Sequence, residues 1–153
     1  MKKKTFIILL IIAAILVLIQ FIPAERPEYT AKNPDDLIVN NQIPEDISAI
    51  LKNACYDCHS NETNYPWYAH VYPVKLLIYK DVKKGREALN FSNWESLKKL
   101  DKASVLDDIG GEVLEGDMPM KIYTCMHSDA KLSIGQRNEI AAWSEEFADA
   151  LFE

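Results

Sequence analysis

The sequence predicts an all-α protein, and three observations predict it. Apolar residues recur at spacings of three and four through most of the chain beyond residue 44: Ile47, Ile50, Leu51 and Ala54, then Val74, Leu77, Ile78 and Val82, then Val105, Leu106, Ile109 and Val113, then Ile140, Trp143, Phe147 and Leu151. No segment alternates with period two for long enough to make a strand. The punctuation between the periodic runs is that of helix ends, with Pro44 and Pro73 at starts and Gly85 and Gly116 at stops. At 153 residues, one domain is expected.

The elements follow in order. Lys2, Lys3 and Lys4 precede an apolar run from Phe6 to Ile22 broken only by Gln20. From residue 5 to 22 this is long enough to span a bilayer, and the lysines orient its N-terminus to the cytoplasm. A signal peptide has the same charged start and apolar stretch, but Ile22-Pro23-Ala24 is a poor cleavage site. The reading preferred is an uncleaved anchor over 1–22, with the remainder exported. Residues 23–43 are rich in Pro and Asn (Pro23, Pro27, Asn33-Pro34, Asn40-Asn41) and read as an extended tether to a domain over 44–153. Pro44, Glu45 and Asp46 start a helix that runs into residues 55–59. Residues 60–72 form a polar and aromatic loop. Pro73 opens a helix stopped near Gly85; Ser92 caps a short helix carrying Trp94, Leu97 and Leu100; further helices cover 101–114 and about 133–151.

Seventeen basic and twenty-three acidic residues give a net charge of −6; setting aside the +3 of Lys2 to Lys4 leaves about −9 on the rest. That balance argues against nucleic acid and against adsorption on anionic lipid, and suits a soluble head held off the membrane.

The chemistry is concentrated in Cys55-Tyr56-Asp57-Cys58-His59, a C-x-x-C-H motif. Two thiols one helical turn apart can each form a thioether with a haem vinyl group, and the histidine that follows can ligate iron from below the ring. A zinc site would want a second Cys/His pair, whereas Cys125, His70 and His127 stand singly. A thioredoxin-like motif would want a βαβ context, and a disulfide between Cys55 and Cys58 would leave His59 unexplained. Covalent attachment of haem takes place outside the bacterial inner membrane, which agrees with export. Cys125 is then left over, either a small buried hydrophobe or a partner for an intermolecular disulfide.

A second axial ligand is sought downstream. In Glu115-Gly116-Asp117-Met118-Pro119-Met120, a methionine sits in a Gly/Pro-bounded loop ahead of the last helix, and Met118 is the preferred donor, with Met120, Met126 and His70 as alternatives. A thioether raises the potential relative to a second imidazole. Trp67 and Tyr68 are candidates for packing on the haem edge, or else ordinary core. No acid/base pair, nucleophile triad or phosphate-binding glycine loop appears.

The stretches Ala54 to Thr63, Tyr65-Pro66-Trp67-Tyr68, Pro73-Val74, Gly85-Arg86, Asn90 to Trp94 and Gly116-Asp117-Met118-Pro119, with Tyr123, His127 and Trp143, together resemble the bacterial haem-binding domain family with a single C-x-x-C-H, from about residue 44 to 147. The sequence departs from that family's pattern at Cys125-Met126 and at Ser128. The resemblance implies a small cytochrome c-like helical domain around one haem c, attached through Cys55 and Cys58 and ligated by His59, with its Met-Pro motif at Met118-Pro119. The expected function is single-electron transfer between periplasmic redox partners by a protein held in the inner membrane through residues 5–22. The alternative is a five-coordinate haem protein acting as a small-ligand sensor or peroxidase, with His70 or His127 as a distal group.

Overall fold

The computed structural model describes residues 2–153, and among the described residues there are eight α-helices, four short 3₁₀ turns and no strand. The protein is all-α. The helices are α1 (Lys2–Leu18), α2 (Leu37–Asn40), α3 (Glu45–Ala54), α4 (Tyr56–His59), α5 (Val74–Ala88), α6 (Lys99–Glu115), α7 (Lys121–Met126) and α8 (Ile134–Ala150).

Helix α3 begins after Pro44, carries Glu45 and Asp46 in its first turn, and buries Ile47, Ile50, Leu51 and Ala54. It does not continue through the cysteine motif as the sequence suggests. Cys55 leaves helical geometry (φ −122°, ψ −41°), and the chain resumes as the separate single turn α4. The bend lays α4 against α5 at Gly85. A Cβ there would lie 2.6 Å from the Cys58 carbonyl oxygen, so only glycine admits the contact. Gly85 is therefore a packing residue inside α5 and not its stop; the helix runs on to Ala88.

Other ends differ from expectation for similar reasons. Ser92 is not a cap: Asn90 caps the 3₁₀ turn Phe91–Ser96 by accepting from the Ser92 N–H at 3.0 Å, and the buried Ser92 hydroxyl accepts from the Asn61 N–H at 3.0 Å. Helix α8 is opened by a capping box between Ser133 and Gln136. It runs antiparallel to α6: Gly110 of α6 faces Ala141 and Ser144 of α8, and the Val113 carbonyl meets Arg137. Leu106, Val113, Ile140 and Trp143 from this pair join Ile50, Leu51, Phe91 and Trp94 in one core, where Phe147 stacks on both Trp94 and Trp143.

Residues 20–36 do not hang free. Gln20 exchanges hydrogen bonds with the Tyr72 backbone, the Tyr65 hydroxyl donates to the Pro27 carbonyl, Arg86 to the Glu28 carbonyl, and the Thr30 N–H to the Asn61 carbonyl. Asp36 is fully buried. It caps α2 through the Ile38 and Val39 N–H groups and accepts from the Tyr56 hydroxyl at 3.0 Å, while Leu37 enters the core. The segment read as an extended tether is a strap along the domain, and its Asn residues serve as hydrogen-bonding groups, as in Asn33 to Glu62 and Asn61.

Candidate functional site

Helix α4 presents its functional groups on two sides. Cys55 and His59 line a cavity of about 340 Å³ whose other walls include Leu89, Phe91, Ile109 and Met118-Pro119. His59 is held by its Nδ1, 3.2 Å from the Leu89 carbonyl oxygen, with the Phe91 ring edge-on at 6.4 Å. A carbonyl can only accept, so this contact fixes the proton on Nδ1 and leaves Nε2 as a lone-pair donor. Burial holds the imidazole below its ordinary value, so it is neutral at pH 7.

Burial likewise pushes the Cys55 and Cys58 thiols up, each to about 12, with neighbouring negative charge (at Cys58, that of Asp57 and Asp81) adding to it. Among the described residues there is no cluster of three or more His, Cys, Asp or Glu able to hold a metal ion, and the two thiols are not joined to each other.

Met118 reaches the same cavity through a rigid turn. Helix α6 ends at Gly116 in the left-handed region (φ 84°), and the N–H groups of Gly116, Asp117 and Met118 all converge on the Glu112 carbonyl at 3.1–3.2 Å. Arg137 of α8 then donates to the carbonyls of Val113 (2.5 Å) and Met118 (3.1 Å). Cys55 and His59, at the two ends of α4, are thus brought together with Met118 from a distant part of the chain.

Trp67 and Tyr68 are not in that group. They line a second cavity of about 360 Å³, with Cys58, Met120, Met126 and His127. Its polar wall is built on Asp57, which accepts from the Asn64 N–H at 2.9 Å and the Tyr123 hydroxyl at 2.8 Å; the Tyr123 ring stacks on His127 at 4.1 Å, and His127 Nε2 lies 3.3 Å from the Tyr68 hydroxyl. His70 is exposed and lines neither cavity. Cys125, read as a buried hydrophobe, is exposed on α7, a helix the sequence did not announce.

Leu89, Gly85 and Arg137 support the site without any local signature. A carbonyl acceptor is invisible in a side-chain pattern, and Gly85 and Arg137 acquire their roles only when distant helices meet. Asp57 was available inside the motif, but its partner Tyr123 lies 66 residues away.

The donor set fits a haem. A neutral imidazole, a thioether and the Cys55 thiol face one cavity of ordinary cofactor-site size with mostly apolar walls, and the Cys58 thiol lines the neighbouring cavity on the other side of α4. The comparisons agree. Residues 14–146 match the model of the haem-binding domain family, and the chain belongs to that family. Cytochrome c peroxidase Ccp of Escherichia coli (strain K12) is 28% identical to it over 107 residues, which make up 68% of this chain and 22% of that protein. The chain thus spans about a fifth of the length of this curated relative. No solved structure matches it.

Proposed function

We propose that the chain is a membrane-anchored monohaem c-type cytochrome that passes single electrons between periplasmic partners, with Cys55 and Cys58 as attachment residues and His59 and Met118 as axial ligands. When bound, haem supplies an iron that cycles between ferric and ferrous. The rest follows from this chain's residues. The Leu89 carbonyl keeps His59 in the tautomer that offers Nε2. The Gly116 turn and the Arg137 clamp fix the Met118 backbone at the cavity, so ligation need order only the side chain. A thioether favours the reduced state, while the exposed Asp108 and Glu112 at the cavity rim favour the oxidised one, more weakly because water screens them. Helix α1, with none of its apolar window buried and a mean hydropathy of 2.6, supports the anchor.

The observation that carries this reading is the shared cavity of His59 and Met118; Met120 faces the other one. The test is the optical spectrum of the haem-loaded chain in both oxidation states, with Met118→Ala and Met120→Ala. A weak red ferric band typical of Fe–S(Met), lost only in Met118→Ala, is expected. The similarity to a peroxidase favours one rival, a five-coordinate haem open to a small ligand or peroxide. A high-spin parent spectrum with ready carbon monoxide binding, unchanged in either variant, would select it.

A further inference from the structure

We infer that the haem domain does not stand off the membrane but lies on it, with the face around Tyr72 seated in the headgroup layer of the bilayer that holds α1. The inference rests on the reading of α1 as an anchor and goes beyond it to an orientation. Its first support is length. The stretch from Thr5 to Phe21, helical and then 3₁₀, is about 27 Å long, against a hydrocarbon core of about 30 Å. The span has no length to spare, so Gln20 falls at the outer edge of the core.

The second support is that Gln20 is already part of the domain. Its side-chain oxygen accepts from the Tyr72 N–H at 3.0 Å, and its amide donates to the Tyr72 carbonyl at 3.4 Å. The Tyr72 hydroxyl in turn donates to the Pro23 carbonyl at 3.4 Å. No linker separates anchor from domain. A headgroup layer about 6 Å deep on each side must then contain the Tyr72 neighbourhood.

The third support is what that neighbourhood exposes. Trp67 is 78% exposed and Phe21 80%, and Val71, Val74 and Leu77 are exposed beside them. Trp67 is the exposed tryptophan; Trp94 and Trp143 are buried. Tryptophan and tyrosine prefer the interface, where a ring meets apolar chains and its polar tip meets water. Lys75, with its ammonium 5.0 Å from the Tyr72 ring centroid, places a cation at the level of lipid phosphates. The net negative charge that argued against lipid adsorption is a property of the whole surface, not of this face.

The test places a photoreactive benzoylphenylalanine singly at positions 10, 67, 71 and 139 of the full haem-loaded chain in phospholipid nanodiscs, and reads lipid adducts by mass after irradiation. Adducts at 10, 67 and 71 with none at 139 are expected. In a background of Gln20→Ala with Tyr72→Phe, the yield at 67 and 71 should fall severalfold while that at 10 holds. Adducts at 10 but not at 67 or 71 would overturn the seated face and leave the anchor standing. No adduct at 10 would overturn the anchor itself. Adducts at 139 equal to those at 67 would overturn the assigned face, and unchanged yields in the double variant would overturn the clamp as what holds it down.

Discussion

At the scale of single residues, the site depends on positions where nothing larger or less polar fits. Gly85 is the clearest. Its missing Cβ would meet the carbonyl oxygen, carbonyl carbon and Cβ of Cys58 at 2.6, 3.1 and 3.2 Å, two of them backbone atoms. Gly85→Ala should push α4 off α5, destabilise by about 1–3 kcal/mol as overpacking does, and lower haem incorporation. Thermal melts and a haem-to-protein absorbance ratio read both effects. Tyr56 is a second such position. Burial, with the Asp36 carboxylate beside it, holds its phenol well above the usual tyrosine range, and Tyr123 is raised in the same way by burial and by Asp57. A phenol raised in the folded state binds its proton more tightly there than in the unfolded chain. Its contribution is therefore intact below the ordinary value near 10 and is lost as pH rises above it. The urea midpoint by circular dichroism should be flat from neutral pH to about 9 and fall beyond 10. Tyr56→Phe should soften that fall and cost about 1–2 kcal/mol at pH 7, because the buried Asp36 loses a donor.

At the scale of elements, the turn between α6 and α7 matters most. A methionine loop could be mobile, but here three N–H groups close on the Glu112 carbonyl and Arg137 locks the exit from α8. Gly116→Ala forces a side chain into the left-handed region at a cost of about 1 kcal/mol. Arg137→Ala removes two charge-assisted hydrogen bonds, about 1–3 kcal/mol, and frees the Met118 carbonyl. The two changes separate stability from positioning. Both should lower the melting temperature, but Arg137→Ala should also weaken the red ferric band and lower the reduction potential, as measured by spectroelectrochemistry. Equal bands in the two variants would show that Arg137 only stabilises.

At the scale of the whole molecule, the strap from residue 20 to 36 ties the end of α1 to the haem-binding domain. A chain beginning at residue 24 keeps Pro27, Glu28, Thr30, Asn33 and Asp36 with their partners; a chain beginning at residue 37 loses all of them. The first should retain the melting temperature and spectrum of the detergent-solubilised parent. The second should lose at least the ~1 kcal/mol of the Asp36 cap and leave the Tyr56 hydroxyl without its buried partner. Equal melting temperatures would mean that 24–36 is the free tether its composition suggests.

Much of this was legible from the chain alone, because the deciding interactions are local. Helical periodicity, the start of the last helix near Ser133, the glycine stop at Gly116 and the apolar run of α1 each depend on residues within a few positions of one another. The five-residue cysteine motif identified the candidate cofactor for the same reason. What only the tertiary structure decided depends on long-range meetings. It separated Trp67 and Tyr68 from His59 by placing them on the far side of α4, and joined Met118 but not Met120 to the His59 cavity. It made Gly85 a contact surface instead of a helix end, and turned a Pro- and Asn-rich segment into a strap. Composition reports that such a segment lacks the apolar face to fold by itself; it is silent on partners supplied by residues 61 to 86. The sequence by itself thus determined the class of element and the chemistry at one turn of helix, while the packing of distant helices decided which side chains share a cavity and how the segment after α1 lies along the domain.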